Sequence, residues 1–319
     1  MRSIAHLLAI ASLATSFAFA QSYPSHPIKV VVPWPPGQAT DVAARVVAEK
    51  LSGALGQQLV IDNRPGAGGT IGSDFAAKSA PDGYTLLAGS SGPISISPRL
   101  QKVPYDPDRD FEPLCIISTS TYVLVAHPSV PANNAAELVA LLRANPGKYT
   151  FASSGTGATA HLVAESFNSS AGITASHVPY KGSAPAITDL VAGHVTYAFE
   201  TTASVLGHVK AERLKAFAVS SANRSLILPE LPPISEAANL PAFDMRAWIG
   251  FLSPAGLPRD VRQRLVSECK RAVAAPDVKE RLLALGLEPE AAPENLAEYL
   301  RKQGERFGEI ARQAKIRLD

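Results

Sequence analysis

The feature that most constrains this chain is a repeated succession of β-branched runs and amphipathic helices, joined by loops rich in glycine and serine. Ile28-Lys29-Val30-Val31-Val32 predicts a strand. The segment 41–55 then places Ala43, Val46, Val47, Leu51, Ala54 and Leu55 on one helical face and stops at Gly56. Leu59-Val60-Ile61 predicts a second strand, 71–78 a short helix and 84–88 a third strand. A second stretch repeats the architecture with strands over 122–126, 149–152, 175–178 and 195–199 and helices over 135–144, 161–170 and 185–192. After a strand over 214–219, Pro229, Pro232, Pro233 and Pro241 mark a return crossing that leads to Trp248-Ile249-Gly250-Phe251-Leu252-Ser253-Pro254. Helices over 260–275 and 294–317 close the chain. The pattern is α/β with a largely parallel sheet, and 319 residues exceed one typical core, so two domains are expected.

Thirty basic residues against 28 acidic ones leave +2 at pH 7, which supplies no general field toward nucleic acid or anionic membrane. Cys115 and Cys269 share no short spacing, which excludes a CxxC redox pair and a zinc ribbon; they read as two buried free thiols. The first twenty residues differ from the rest. Arg2 precedes the apolar run over 4–14, and Ala18-Phe19-Ala20 ends it with small residues, the pattern of a secretory signal peptide cleaved after Ala20. The run is shorter than the ~20 residues a membrane span needs. A soluble, exported mature chain over 21–319 follows, and export makes a Cys115–Cys269 bridge chemically permissible.

Candidate chemistry sits at the strand ends: Pro33-Trp34-Pro35-Pro36-Gly37-Gln38-Ala39-Thr40-Asp41, Gly89-Ser90-Ser91-Gly92, Ser153-Ser154-Gly155-Thr156-Gly157-Ala158-Thr159 and Pro179-Tyr180-Lys181-Gly182-Ser183. Ligands of α/β sheets bind outside the carboxyl ends of strands, where glycine admits the backbone and helix N-termini offer free N–H groups. Four such loops suit a small anion, although glycine and serine also mark ordinary turns. Trp34 either stacks on a ligand or fills a core. His161 and Glu165 lie one helical turn apart, but no third metal ligand is evident, and a packing histidine is the simpler reading. A nucleophile elbow, HExxH and the phosphate-loop pattern are all missing.

Six motifs occur in order: Val32-Pro33-Trp34-Pro35-Pro36-Gly37, Asn63-Arg64-Pro65-Gly66-Ala67-Gly68-Gly69-Thr70-Ile71-Gly72, Pro81-Asp82-Gly83-Tyr84-Thr85-Leu86, Pro104-Tyr105-Asp106-Pro107, His177-Val178-Pro179-Tyr180-Lys181-Gly182 and Leu231-Pro232-Pro233-Ile234-Ser235-Glu236. Over essentially the whole mature length the chain resembles the Bug-type periplasmic solute-binding receptors of tripartite tricarboxylate transporters (TctC-like). The resemblance implies a two-domain Venus flytrap of the type II periplasmic-binding class, with domain 1 over 21–122 and 228–319 and domain 2 over 123–227. It implies a non-catalytic, monomeric receptor without cofactor or metal, which captures a small organic acid or amino acid and presents it to membrane transporter subunits.

By motif position, the resemblance places the ligand carboxylate, held partly through ordered waters, between the loop over 36–41 and the loop over 153–161. Ser90 and Ser91 complete the domain 1 wall. Candidate ligand-binding residues are therefore Trp34, Gly37, Gln38, Ala39, Thr40, Asp41, Ser90, Ser91, Ser153, Ser154, Thr156, Thr159, His161, Tyr180 and Glu200. Two positions depart from the family pattern. Gln38 stands where a second glycine is usual, and Glu200 where aspartate is common. The longer carboxylate reaches further into the cleft and favours an ammonium or amide on the ligand.

Two other functions fit parts of the sequence. A sensory adaptor docking on a membrane signalling protein would share the fold and the cleft. A secreted hydrolase would use Ser154 or Ser91 with His161, but it lacks the elbow that presents such a nucleophile.

Overall fold

The computed structural model describes residues 23–241, 243–290, 293–313 and 316, and the expected leader over 1–20 lies outside them. Ten strands are present among these residues: β1 Ile28–Val32, β2 Leu59–Asn63, β3 Thr85–Ser90, β4 Phe111–Ala126, β5 Thr150–Ser153, β6 Ser176–Pro179, β7 Tyr197–Thr201, β8 Lys215–Val219, β9 Arg246–Pro254 and β10 Glu288–Pro289. They follow one path, β2-β1-β3-β9-β4-β7-β5-β6, with β8 and β10 also paired to β4. Parallel pairing joins β1 to β2 and β3, and β5 to β6 and β7. All pairs made by β4 and β9 are antiparallel, so the sheet is mixed rather than largely parallel. The long strands that carry the chain from one half to the other return without the crossover that parallel pairing requires.

Strand β4 belongs to both halves. Its residues 111–121 pair with β9, whereas Tyr122 to Ala126 lie between β7 and β8. Sequence reading anticipated only the second part. Pro113 and the polar run Ser118-Ser120 do not look like a central strand, and the ladder accommodates them with register shifts at Pro113/Cys115 and Ile116/Ser118. At the crossing, Ser220 N–H donates to Tyr122 O (2.8 Å), Tyr122 N–H to Ser220 Oγ (3.0 Å) and Met245 N–H to Ser220 O (2.7 Å). The outgoing and returning segments are therefore tied together where they cross.

The helices pack as periodicity demands. Helix Ala39–Leu55 buries Ala43, Val47 and Leu51 on the first half of the sheet and ends at Gly56, whose φ of 70° supplies the left-handed C-cap. Helix Arg259–Ala274 covers the same core through Val261, Leu265 and Cys269. On the second half, Leu138, Leu142, Phe151, Phe167, Tyr197 and Phe199 form a separate core that also receives Phe307 from the C-terminal helix Leu296–Gln313. Helices Thr202–Lys210 and Pro276–Ala284 were not anticipated; their apolar stripes are short.

The expectation of two free thiols is corrected. Cys115 of β4 and Cys269 of helix Arg259–Ala274 are joined by a disulfide, with Cα atoms 6.1 Å apart and a sequence separation of 154. Both side chains are buried in one core, so packing brings together what sequence distance hides. Closing so long a loop restricts the unfolded chain, and replacing both cysteines with alanine is expected to lower unfolding free energy by about 2–4 kcal/mol in urea titrations. Alkylation of the unfolded, unreduced protein should label neither cysteine; labelling of both would refute the bridge.

Candidate functional site

The two halves meet over a cavity of about 40 Å³. Trp34, Gln38, Ala39, Thr40 and Ser90 line it from the first half, with Ala247 and Ile249 of β9. Ser154, Thr159, Ser183, Glu200 and Thr201 line it from the second, and Ser120 and Tyr122 stand in the wall at the β4 crossing. The halves touch around it. A Cβ on Gly68 would lie 2.7 Å from the Thr156 carbonyl oxygen, and Ser97 Oγ–H donates to Gly157 O at 3.3 Å. The cleft is closed.

Besides helix Thr202–Lys210, whose N-cap Thr201 accepts from Ser204 N–H, three helices begin at this cavity: Ala39–Leu55, Thr159–Ala171 and Ser183–Val191. No side chain caps any of them, because their N-cap residues are Gln38, Ala158 and Gly182. Each N-terminus presents unpaired N–H groups and the positive end of its helix dipole. Hydroxyls add to them. Ser120 Oγ is buried without a partner, and Ser90 Oγ, which accepts from Trp34 Nε1–H at 3.0 Å, keeps its own proton to donate. Among the described residues, no lysine, arginine or histidine lines the cavity. Its donors are neutral.

Glu200 is the exception to that chemistry. The side chain is 1% exposed, its Oε2 accepts from Ser183 Oγ–H at 2.7 Å and its Oε1 has no hydrogen-bond partner. Ser183 Oγ in turn accepts from Gln38 Nε2–H at 2.9 Å, so the glutamine reaches across the cleft. Burial pushes the Glu200 carboxyl up to about 7, against the lowering effect of Ser183 and the Thr201 backbone.

Seven of the fifteen candidate residues do not line this cavity. Asp41 accepts from Gly37 N–H, Arg45 Nε–H and Asn63 Nδ2–H, each at 2.9 Å. Burial opposes its ionisation, but these donors outweigh burial and hold the carboxyl below the usual range. Asp41 thus shapes the loop, Gly37 included. Ser91 Oγ accepts from Trp248 N–H at 2.8 Å. Ser153 Oγ bonds His177 Nε2 at 2.6 Å, His177 stacks on His161 at 4.0 Å, and His161 Nδ1 accepts from Gly157 N–H at 3.3 Å. That cluster fixes the loop over 153–159 from behind. Burial and then His161 push His177 down to about 3, so it stays neutral. Thr156 and Tyr180 line a second, outer opening of about 380 Å³, with Trp34 and Ser154 common to both spaces.

Ser120, Tyr122, Ser183, Thr201, Ala247 and Ile249 were missed as site residues. Ser183 stood in a loop already singled out. For Ser120 the available signal was a serine–threonine run inside an otherwise apolar stretch, which only a strand passing a polar cavity explains.

The sequence matches the family described as Tripartite tricarboxylate transporter family receptor (TctC) over residues 43–316. The chain belongs to this family. Among solved structures it is similar to the periplasmic binding protein BugD, at 34% identity and a TM-score of 0.86, with 92% of this chain and 99% of that one covered. It is also similar to Rpa4515 of R. palustris, solved with adipate (31% identity, TM-score 0.88, 92% and 99% covered). MatC of Rhodopseudomonas palustris, solved with bound malate, shares 29% identity and a TM-score of 0.85 over 90% and 99%. The family comprises periplasmic solute-binding receptors of the Bug type, not enzymes, and the TctC-type receptor has the two-lobed α/β fold of periplasmic binding proteins.

The buried acid makes a pH prediction. A folded-state carboxyl raised from the model-compound 4.5 to about 7 makes the native state bind more protons than the unfolded one between those values. Wild-type stability therefore falls across that window as pH rises. Glu200→Gln removes this titration, while the opposing effect of His177 cancels in the comparison. Without ligand, the variant should melt above wild type at pH 8 and converge with it near pH 4.5; a constant difference across that range refutes the assignment.

Proposed function

We propose that this protein captures a small carboxylated solute, an organic acid or amino acid, in the periplasm and delivers it to the membrane subunits of a tripartite tricarboxylate-type transporter. The observation that carries the reading is the convergence of three uncapped helix N-termini on one closed cavity. Neutral N–H and O–H donors can hold a carboxylate without a buried cation, and they cost less to desolvate before the ligand arrives. Ser154, Thr159, Thr40 and Ser90 supply hydroxyls from both sides. Adipate and malate in the R. palustris proteins, which resemble this chain over nearly its full length, support the ligand class.

The same reading divides the chain into a leader removed after Ala20, a discontinuous lobe over 21–122 and 228–319, and an inserted lobe over 123–227. The monomer closes about the crossings at Tyr122 and the proline-rich return. Native mass spectrometry of exported protein and a thermal-shift panel of dicarboxylates, amino acids and aromatic carboxylates test it. A true ligand at ~100 times its Kd adds roughly 2.7 kcal/mol to the state that binds it. Failure of every carboxylate to shift melting would sink the reading.

Closure gives a sharper test. Gly68→Ala puts a methyl against the Thr156 carbonyl at a position whose φ is 63°. The strain costs about 1–2 kcal/mol of stability. The blocked contact is expected to weaken every ligand about tenfold or more, with no ligand-induced compaction by small-angle scattering. Wild-type affinity and compaction in the variant would remove closure from the binding mechanism.

A further inference from the structure

Gln38 is a buried polar side chain that does nothing for its own half. It occupies the N-cap position of helix Ala39–Leu55 without making a cap hydrogen bond there. Among the described residues its single side-chain hydrogen bond runs from Nε2–H to Ser183 Oγ at 2.9 Å, 145 positions along the chain. A buried amide whose partner lies across a cleft stabilises the arrangement that brings that partner within reach.

Ser183 is set to receive it. Its Oγ–H goes to Glu200 Oε2 at 2.7 Å, and the Thr201 backbone also hydrogen-bonds the Glu200 carboxyl. The serine oxygen therefore keeps lone pairs for a donor, and Gln38 is that donor. Backbone fit brings the two together: a Cβ on Gly182 would lie 2.9 Å from Pro35 Cγ and 3.5 Å from Gln38 Nε2, so the glycine lets the loop before helix Ser183–Val191 settle against the loop over 35–38. Among the described residues two hydrogen bonds join the segments that face each other across the cleft, and the other, Ser97 Oγ–H to Gly157 O, is longer at 3.3 Å and ends on a backbone acceptor. Only the Gln38–Ser183 bond has side chains at both ends.

We propose, on the footing that the protein binds a carboxylate by closing its two halves, that Gln38 is the latch of the closed form. It is a positioning residue: through Ser183 it sets how long the closed cleft persists, not which solute enters it. With the halves apart the amide has no partner across the cleft, so the latch adds nothing to the encounter with a solute, and its whole contribution appears after closure.

Stopped-flow kinetics of the mature protein, read by the fluorescence of Trp34 in the cavity wall, test this with adipate, L-malate and L-glutamate as probes. Gln38→Ala is expected to speed dissociation of every probe that binds wild type by about three- to tenfold, by the same factor for each and with association unchanged. Gln38→Asn keeps an amide but is one methylene too short to span the cleft, and it should behave as Gln38→Ala does. In a double-mutant cycle Ser183→Ala should add little to Gln38→Ala, because either change breaks the same bond. Both Gln38 variants should fold, since the side chain caps nothing and makes no hydrogen bond within its own half. A changed ranking of the probes or slower association would make Gln38 a ligand contact and overturn the latch while the receptor reading stands. Unchanged dissociation, or fully additive effects in the cycle, overturns it equally. Should none of the three probes bind, small-angle scattering of the ligand-free proteins decides: Gln38→Ala is expected to be more expanded than wild type, and identical profiles overturn the latch. The receptor reading then stands or falls separately, on the wider carboxylate panel.

Discussion

A single strand shared by two sheets determines where everything else lies. Strand β4 pairs with β9 along its first part and with β7 and β8 along its last, so the two halves share one backbone ladder at the crossing and meet elsewhere only through loops and side chains. The polar residues of the strand fall at that change of partner. Ser118, Ser120 and Thr121 are buried with hydroxyls that find no protein acceptor or donor. Unsatisfied buried hydroxyls are unfavourable in a core and are retained where something else can meet them. Ser120 does so by facing the cavity, which lies at the one place where both sheets supply wall.

Holding an anion with neutral donors has a structural condition: the donors must be fixed before the anion arrives. Asp41, His161, His177 and Ser153 provide that rigidity from outside the cavity. Asp41 gathers the loop before helix Ala39–Leu55 through Gly37, Arg45 and Asn63, and the stacked imidazoles hold the loop before helix Thr159–Ala171 through Gly157 and Ser153. The two arrangements are unlike in chemistry and alike in effect. Each leaves the first N–H groups of a helix uncapped and aimed by a backbone that has little freedom to turn away.

Most of the fold was legible because local pattern and tertiary role agree. The run Ile28-Lys29-Val30-Val31-Val32, the helical face of Ala43, Val47 and Leu51 and the stop at Gly56 each say the same thing at every level. The first part of β4 was not legible, because Pro113 and the serine-rich run oppose strand propensity locally and only pairing with β9 overrides them. The Cys115–Cys269 bond depends on two elements 154 residues apart meeting in one core, which no spacing announces. Within the site, the loops at the strand ends were readable from their glycines and hydroxyls. Which side of each loop meets the cavity was not, since Ser90 and Ser91 or Ser153 and Ser154 differ only in which way an adjacent side chain faces.

Gln38 and Glu200 stood out separately as departures from a family pattern, and the structure joins them through one serine. Ser183 Oγ has a single proton, and donating it to Glu200 leaves its lone pairs free to accept from Gln38. Gln38 sits at the start of helix Ala39–Leu55 and Ser183 at the start of helix Ser183–Val191, so the hydrogen bond between them crosses the cleft. Separation of the halves removes Gln38 from the chain and admits water to Glu200, which relieves the desolvation that raises its carboxyl. If the halves close as proposed, the charge on Glu200 and that closure are coupled by geometry: the closed form excludes water from the acid and brings the Gln38 amide onto Ser183, its side-chain donor.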